Sequence, residues 1–327
     1  MDDLIKKANK VYHENFPNVC WYGRCIFLSW YCELGTCKFC FRSTVKHKIR
    51  YSKNAKRSLP SILVEALLCK KLNWRIEFLT GGYGIFPLNE LVEITRLVSK
   101  VYGEKIWLNL GAINQEDLEL FRPYVKGIVA SIECINPELH KKICPDKPIE
   151  PYEQMFSNAK DLLKSITIVI GLGEKKEDFQ LLADFIKKHN LNRITFYALK
   201  PVKGTEFESS GGPSTEEYLW WIAQTRITFP ELEIIAGTTP RRYEEVGKIL
   251  DAGANAFTKF SATKMFNTMQ AKTIVNDVKK TGREFKSVLT NMPEIDWDGE
   301  VKNLDIDDNL KLQVKEKLKL YLERMTQ

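Results

Sequence analysis

Short runs of apolar and β-branched residues alternate along this chain with longer segments in which apolar positions recur at helical spacing. This alternation is typical of βα units, in which helices connect parallel strands. Eight such units can be counted, and eight parallel strands are enough to close a barrel. We therefore predict an α/β fold, a (β/α)8 TIM-type barrel, with a doubly wound sheet as the alternative. The predicted strands are residues 25–31, 75–79, 106–110, 127–133, 166–170, 193–198, 233–236 and 256–260.

The helical pattern is clearest between several of these strands and near the C-terminus. It is present in residues 60–71, 88–101, 177–189, 242–252 and 310–325. The polar stretch 213–217 contains capping residues and predicts the start of a further helix. We accordingly divide the chain into an N-terminal helix over 1–20, a barrel over 21–285 and a C-terminal helical extension over 286–327.

Composition agrees with one large barrel. The chain has 327 residues, and a barrel of this type needs about 250. Apolar residues make up 44%, but no stretch approaches the roughly 18 uninterrupted apolar residues of a membrane span.

The net charge of +7 is spread over many Lys and Arg among nearly as many acids. This pattern favours a bias towards anionic small molecules over a nucleic-acid partner. The first residues lack the layout of a signal peptide, so we expect a cytoplasmic protein with no membrane partner.

Cysteines are concentrated near the N-terminus. Five of the eight lie between residues 20 and 40, which favours metal binding over disulfides in a cytosolic protein. Cys32, Cys37 and Cys40 follow the first predicted strand, so they belong to the first βα loop at the face where barrel enzymes place their chemistry. Three thiolates can ligate three irons of a cubane cluster and leave the fourth iron open. A zinc site completed by His47, or a non-catalytic barrel or scaffold, is the alternative.

This loop resembles the cysteine loop of the radical S-adenosylmethionine (SAM) superfamily. In that family three cysteines hold a [4Fe-4S] cluster, and the amino and carboxylate groups of SAM bind the fourth iron. Phe39 matches the family's aromatic position before the last cysteine, but four residues separate Cys32 from Cys37 where three are commonest. The resemblance implies that SAM is cleaved reductively to a 5'-deoxyadenosyl radical, which abstracts hydrogen from a small-molecule substrate or cofactor precursor inside the barrel. It also implies an electron donor such as ferredoxin or flavodoxin.

Three further segments resemble SAM-contacting parts of the family. Gly81, Gly82 and Tyr83 follow the second predicted strand and match the segment that contacts the SAM amino group. Glu133 ends the fourth predicted strand and matches a polar position that often touches SAM. The turn containing Gly171 and Gly173 resembles the adenine-contacting segment of biotin synthase and its relatives, which places the chain in the biotin-synthase-like branch. Plain glycine turns and an unliganded carboxylate are the alternatives.

Cysteine positions also bear on which member of this branch the chain resembles. Biotin synthase holds a second, sulfur-donating cluster on cysteines of inner strands, whereas predicted strands 75–79, 106–110 and 166–170 contain none. The lengthened cysteine spacing favours the methanogen enzyme that builds the iron-guanylylpyridinol cofactor of iron hydrogenase, with the archaeal two-component lipoyl synthase as the alternative. A second iron-sulfur cluster would favour lipoyl-type sulfur insertion, and its candidate ligands are Cys20, Cys25, Cys134 and Cys144.

Cations on late loops are candidates for holding an anionic substrate. Lys200 and Lys203 follow the sixth predicted strand, and Arg241 and Arg242 follow the seventh. Solvated surface charges are the alternative interpretation.

Overall fold

The computed structural model describes residues 1–326. Eight parallel strands close into a barrel, because each pairs with the next and β8 and β2 both pair with β1. The strands are β1 (Val19–Phe27), β2 (Arg75–Thr80), β3 (Ile106–Asn109), β4 (Val125–Glu133), β5 (Leu163–Ile170), β6 (Arg193–Ala198), β7 (Glu233–Gly237) and β8 (Ala256–Thr258). A short ninth strand, β9 (Glu284–Phe285), pairs in parallel with the start of β1. The predicted (β/α)8 TIM-type barrel is confirmed.

Helices surround the barrel and occupy both termini. They are α1 (Asp2–Asn15), α2 (Phe41–Val45), α3 (Leu59–Lys71), α4 (Leu88–Tyr102), α5 (Gln115–Phe121), α6 (Pro137–Ile143), α7 (Glu150–Asn158), α8 (Phe179–His189), α9 (Thr215–Thr228), α10 (Val246–Asp251), α11 (Met269–Lys280), α12 (Trp297–Lys302) and α13 (Asp308–Thr326). The predicted cap of α9 forms as expected, since the Ser214 hydroxyl accepts a hydrogen bond from the Glu217 amide. No helix within residues 1–326 is both long and apolar enough to cross a membrane.

The boundaries predicted around the first strand were wrong. The N-terminal helix ends at Asn15 rather than near residue 20, and β1 runs over Val19–Phe27 rather than 25–31. Most of β1 is buried on both faces, so its sequence lacks the alternation that would locate its ends. The last barrel strand also ends earlier than predicted, at Thr258, because Lys259 adopts a left-handed backbone with φ of 65°.

The two terminal extensions pack against the outside of the barrel. The α1 helix contacts α9 and α10, and its Tyr12 hydroxyl donates to the Val19 carbonyl at 2.9 Å. The α13 helix packs on α3, where the Tyr321 hydroxyl lies 2.8 Å from the Arg57 guanidinium. These contacts attach α1 to the start of β1, and they attach α13 to the segment that joins the cysteine loop to α3.

A buried ion-pair group joins α3 to β1. Glu65 on α3 accepts hydrogen bonds from Arg24 at 2.8 Å and from Arg57 at 2.7 Å. Burial alone would raise the pKa of Glu65, but the two guanidiniums outweigh it and lower that pKa to about 2. The carboxylate therefore stays charged, and its two partners fix the strand and the helix on either side of the cysteine loop.

Candidate functional site

A cavity of about 620 Å³ opens at the carboxyl ends of the barrel strands, where TIM barrels carry their active sites. Seven of the nine residues predicted from the sequence for cofactor or metal binding line it: Cys32, Cys37, Cys40, Gly81, Gly82, Tyr83 and Glu133. Gly171 and Gly173 do not. The structure thus brings together residues from the loops after β1, β2 and β4.

The cysteine loop carries three thiols that face this cavity but are not gathered about one point. Within the described residues, 1–326, no group of three Cys, His, Asp or Glu side chains has the arrangement of a metal site. The Cys37 side chain instead packs in the cluster that contains Cys144, and the neighbouring Cys144 thiol lowers the pKa of Cys37 to about 7. Three thiols on one cavity-facing loop nevertheless have the number and chemistry that a [4Fe-4S] cluster requires. His47 is exposed and does not line the cavity, so its placement does not support a zinc site.

The glycine segment after β2 is packed directly on the cysteine loop. A β-carbon built on Gly82 would lie 1.4 Å from the carbonyl oxygen of Tyr31. The Tyr83 carbonyl accepts a hydrogen bond from the Glu33 amide at 2.9 Å, and the Tyr83 amide donates to the Cys32 sulfur at 3.4 Å. The glycine allows this close approach, and the segment positions Cys32 whether or not a ligand is present.

Glu133 lies at the cavity wall in a strained conformation, with φ of 62° at the end of β4. Its carboxylate accepts a hydrogen bond from the Lys147 ammonium at 2.9 Å. Burial alone would lower the pKa of Lys147, but the Glu133 carboxylate outweighs it and raises that pKa. The Lys147 carbonyl in turn contacts His140 at 2.6 Å, which holds this loop against the barrel. Lys147 was not predicted from the sequence, where it belongs to an undistinguished polar stretch.

The turn after β5 satisfies its own polar groups. The amides of Gly171 and Leu172 donate to the Glu174 carboxylate at 2.5 and 2.9 Å. Gly171 has φ of 102°, and a β-carbon there would lie 2.8 Å from the Pro213 ring. These glycines are explained by the turn and by the close passage of residue 213.

The barrel interior below the cavity contains a carboxylate that sequence reasoning missed. Glu77 on β2 is fully buried and accepts hydrogen bonds from the Cys25 thiol at 2.8 Å and the Tyr197 hydroxyl at 3.0 Å. It also accepts bonds from Thr195 and Thr258. Burial and the neighbouring Glu77 raise the pKa of Cys25 to about 12, so this thiol stays protonated.

Lys259 is a third residue that the sequence did not reveal, after Lys147 and Glu77. It follows β8, lines the cavity, and its ammonium lies 4.7 Å from the ring centroids of both Phe27 and Tyr197. Aromatic faces stabilise a cation without neutralising it. No carboxylate of residues 1–326 lies within 4.0 Å of this ammonium. Its positive charge is therefore available to a ligand in the cavity.

The four cysteines considered for a second cluster do not gather. Cys20 is buried at the start of β1, and burial raises its pKa to about 12. Cys25 lies with Glu77, Cys134 contacts the Asn136 carbonyl, and Cys144 packs in the cluster that Cys37 joins. A second cluster is thus unsupported, and the interpretation as buried thiols fits all four.

The late-loop cations also differ from expectation. Lys200 lines the cavity at its exposed rim. Arg242 is bound to Glu245 at 2.7 Å and to the Pro213 carbonyl at 2.9 Å, away from the cavity. Arg241 and Lys203 are exposed and do not line it.

Comparison with known proteins places this site in a family. The chain matches the Radical SAM superfamily over residues 28–186 and the Biotin and Thiamin Synthesis associated domain over residues 195–284. An uncharacterized protein of Methanocaldococcus jannaschii is 34% identical over 98% of this chain and 93% of its own length. A biotin synthase of Coxiella burnetii is 24% identical over 67% of this chain and 71% of its own. The crystal structure of methylornithine synthase superposes with a TM-score of 0.73 at 20% identity, covering 86% of this chain and 88% of that one.

A closed parallel barrel with cysteines on its first loop and a cavity at its carboxyl face defines an enzyme of the TIM-barrel class. The chain belongs to the radical SAM superfamily, and within it to the biotin-synthase-like branch. Membership of this family implies a [4Fe-4S] cluster and SAM.

Proposed function

We propose that this enzyme holds a [4Fe-4S] cluster on Cys32, Cys37 and Cys40 and uses SAM to activate a small anionic substrate in cofactor biosynthesis. The observation that carries the proposal is the convergence of these three thiols with Gly82 and Glu133 on one cavity of about 620 Å³. That space suits a small-molecule ligand. A relative named biotin synthase supports a role in making a cofactor.

The cluster and SAM, when bound, would supply the chemistry, which is reductive cleavage of SAM to a 5'-deoxyadenosyl radical. The chain itself orients the reactants. In this proposal the Gly82 segment fixes the position of Cys32, and the Tyr83 amide donates to the Cys32 sulfur. Glu133, held by Lys147, provides an acceptor for the hydroxyl groups of SAM.

The substrate is proposed to bind on the opposite side of the cavity, near Lys259. The ammonium there would pair with a carboxylate or phosphate of the substrate. Four polar side chains on the remaining wall, Thr80, Asn109, Ser131 and Thr167, offer hydrogen bonds to a substrate rich in oxygen or nitrogen. Ser131 and Asn109 are already oriented by a mutual hydrogen bond of 2.9 Å.

Of the two pathways that the sequence suggested, we propose synthesis of the iron-guanylylpyridinol cofactor of iron hydrogenase. Lipoyl-type sulfur insertion needs a second cluster as sulfur donor. The separation of Cys20, Cys25 and Cys134 argues against such a cluster, and Cys144 contacts Cys37 instead.

The test uses anaerobically reconstituted enzyme with dithionite and SAM. We expect 5'-deoxyadenosine from the wild type and its loss in Cys37→Ala, with Cys69→Ala as a matched control because Cys69 lies in α3 outside the cavity. Deuterated pyridinol precursors should pass deuterium to 5'-deoxyadenosine. Transfer from octanoyl substrates instead would overturn the pathway, and equal turnover by both variants would overturn the cluster assignment.

A further inference from the structure

The positive charge of this chain is concentrated beside the cysteine loop. Residues 34–64 contain eight of the 49 Lys and Arg and none of the 42 Asp and Glu, so the net charge of +7 arises from this segment. The even spread expected from the overall composition was therefore wrong for this region. A charge concentration of this kind sets up a local field that attracts an oppositely charged partner.

Five of these eight cations already have partners within the chain. Lys38 pairs with Glu206, Lys56 with Glu90 and Arg57 with Glu65, while Arg42 and Lys46 bind backbone carbonyls. The remaining three, Lys48, Arg50 and Lys53, are exposed. No carboxylate of residues 1–326 lies within 4.0 Å of them.

Two of these three cations flank an exposed aromatic ring. Arg50 and Lys53 each lie 5.9 Å from the ring centroid of Tyr51, which is 56% exposed. We call Lys48, Arg50, Tyr51 and Lys53 the basic patch. Exposed Tyr and Arg side chains are the types that anchor protein interfaces.

The basic patch belongs to the segment that follows the cysteine loop and is hydrogen-bonded back to it. The α2 helix begins directly after Cys40, and the Lys46 ammonium binds the Leu34 carbonyl within the loop at 3.0 Å. Further along, the Trp30 amide donates to the Ala55 carbonyl at 3.1 Å. A protein bound at the patch would therefore lie next to the cysteine loop.

We propose that the basic patch is the docking surface for a small acidic electron-transfer protein of the ferredoxin or flavodoxin class. This inference rests on the proposed function, because it requires a cluster that accepts one electron as the docked carrier is oxidised by one electron. Three uncompensated cations would steer an acidic carrier to the side of the protein nearest the cysteines. Encounter complexes of redox partners are small and transient, so a patch of this size is sufficient.

The experiment compares two reductants on the reconstituted holoenzyme. A Lys48→Glu, Arg50→Glu, Lys53→Glu variant is matched to a Lys187→Glu, Lys272→Glu, Lys279→Glu variant, which has the same charge change on exposed positions of α8 and α11. Bleaching of the cluster absorbance is followed in stopped flow with reduced ferredoxin, with reduced flavodoxin and with dithionite. Low and high ionic strength are both measured.

We expect the patch variant to be reduced by the protein carriers at least about tenfold more slowly at low ionic strength, with a flattened salt dependence. Dithionite should reduce it at the wild-type rate within about threefold, and the control variant should follow the wild type. Equal reduction of both variants by the carriers would overturn the proposal, as would equal slowing with dithionite. Wild-type carrier rates, together with loss of single-stranded RNA binding, would assign the patch to nucleic acid. Absence of any bleaching by dithionite in the wild type would instead contradict the proposed function.

Discussion

Gly82 and Tyr31 approach so closely that a β-carbon on the glycine would lie 1.4 Å from the tyrosine carbonyl oxygen. The contact joins the loop after β2 to the loop that carries Cys32, and the Tyr83 amide reinforces it. The glycine is therefore required by the packing of the protein itself. Because the two loops share one wall of the cavity, a change at Gly82 should be transmitted to the cysteines.

Gly82→Ala should displace the cysteine loop. The methyl group cannot be accommodated without backbone movement, and overpacking of this kind costs about 1–3 kcal/mol. We expect lower iron content after reconstitution and a lower thermal unfolding temperature. Gly247→Ala is the control, since its β-carbon would meet Asp277 at an ordinary 3.5 Å. Equal iron content in the two variants would show that the loop tolerates the methyl group.

The Glu65 ion-pair group should be needed for folding. Glu65→Ala leaves Arg24 and Arg57 buried without their carboxylate, which should lower the free energy of unfolding by about 3–5 kcal/mol. Tyr321→Phe removes one hydroxyl from the same group and should cost about 1 kcal/mol. Urea unfolding monitored by circular dichroism measures both. Similar losses in the two variants would contradict the central position of the carboxylate.

The same carboxyl predicts an acid dependence. The pKa of Glu65 is lowered to about 2 in the folded chain, so its contribution is fully present above its ordinary value near 4.5. That contribution is lost as the pH falls from about 4.5 towards 2, because the unfolded chain then binds the proton first. Unfolding free energies of wild type and Glu65→Gln should converge over this range. A constant difference down to pH 3 would contradict the assignment.

Cysteine alkylation should distinguish the loop thiols from the barrel thiols. In apoprotein at pH 8, iodoacetamide should modify Cys32 and Cys37 quickly, since both line the open cavity. Cys20 and Cys25 are buried, and each has a pKa raised to about 12, so they should react only on unfolding. Peptide mass spectrometry reads each site. Rapid labelling of Cys25 would show that the thiol beside Glu77 is open to the cavity.

Lys259→Met should separate SAM cleavage from substrate turnover. The substitution keeps the apolar stem between Phe27 and Tyr197 but removes the charge. We expect dithionite-driven 5'-deoxyadenosine formation to persist without substrate, while the KM for an anionic substrate rises at least about tenfold. Lys200→Met, at the rim, should change it little. An unchanged KM in the Lys259 variant would rule out the anion site.

Much of the fold could be predicted because apolar residues recur with a different period in strands than in amphipathic helices. The exceptions have physical causes. The start of β1 was misplaced because the strand is buried on both faces. Several helices were not located from the sequence, and α6 and α7 are among them because they span only seven and nine residues. Both helices begin near prolines that read equally well as loop signals.

Site residues could be proposed from the sequence where a local pattern marks them, on the cysteine loop, in the glycine segment after β2 and at the end of β4. Cys32, Cys37 and Cys40 lie on one loop, so their spacing alone indicates the chemistry. The Glu77 group joins residues from β1, β2, β6 and β8, and no local pattern indicates that they meet. Lys259 could not be predicted from the sequence either, because its position depends on the rings of Phe27 and Tyr197, which belong to distant strands.

The central claim is that these three cysteines hold the cluster. Iron and acid-labile sulfide should be assayed after anaerobic reconstitution of the wild type and of Cys32→Ala, Cys37→Ala and Cys40→Ala, with Cys144→Ala as the control. The account predicts about four irons and four sulfides per chain in the wild type and in Cys144→Ala, and a loss in each of the other three. Zinc in place of iron, or full iron content in any loop variant, would contradict it.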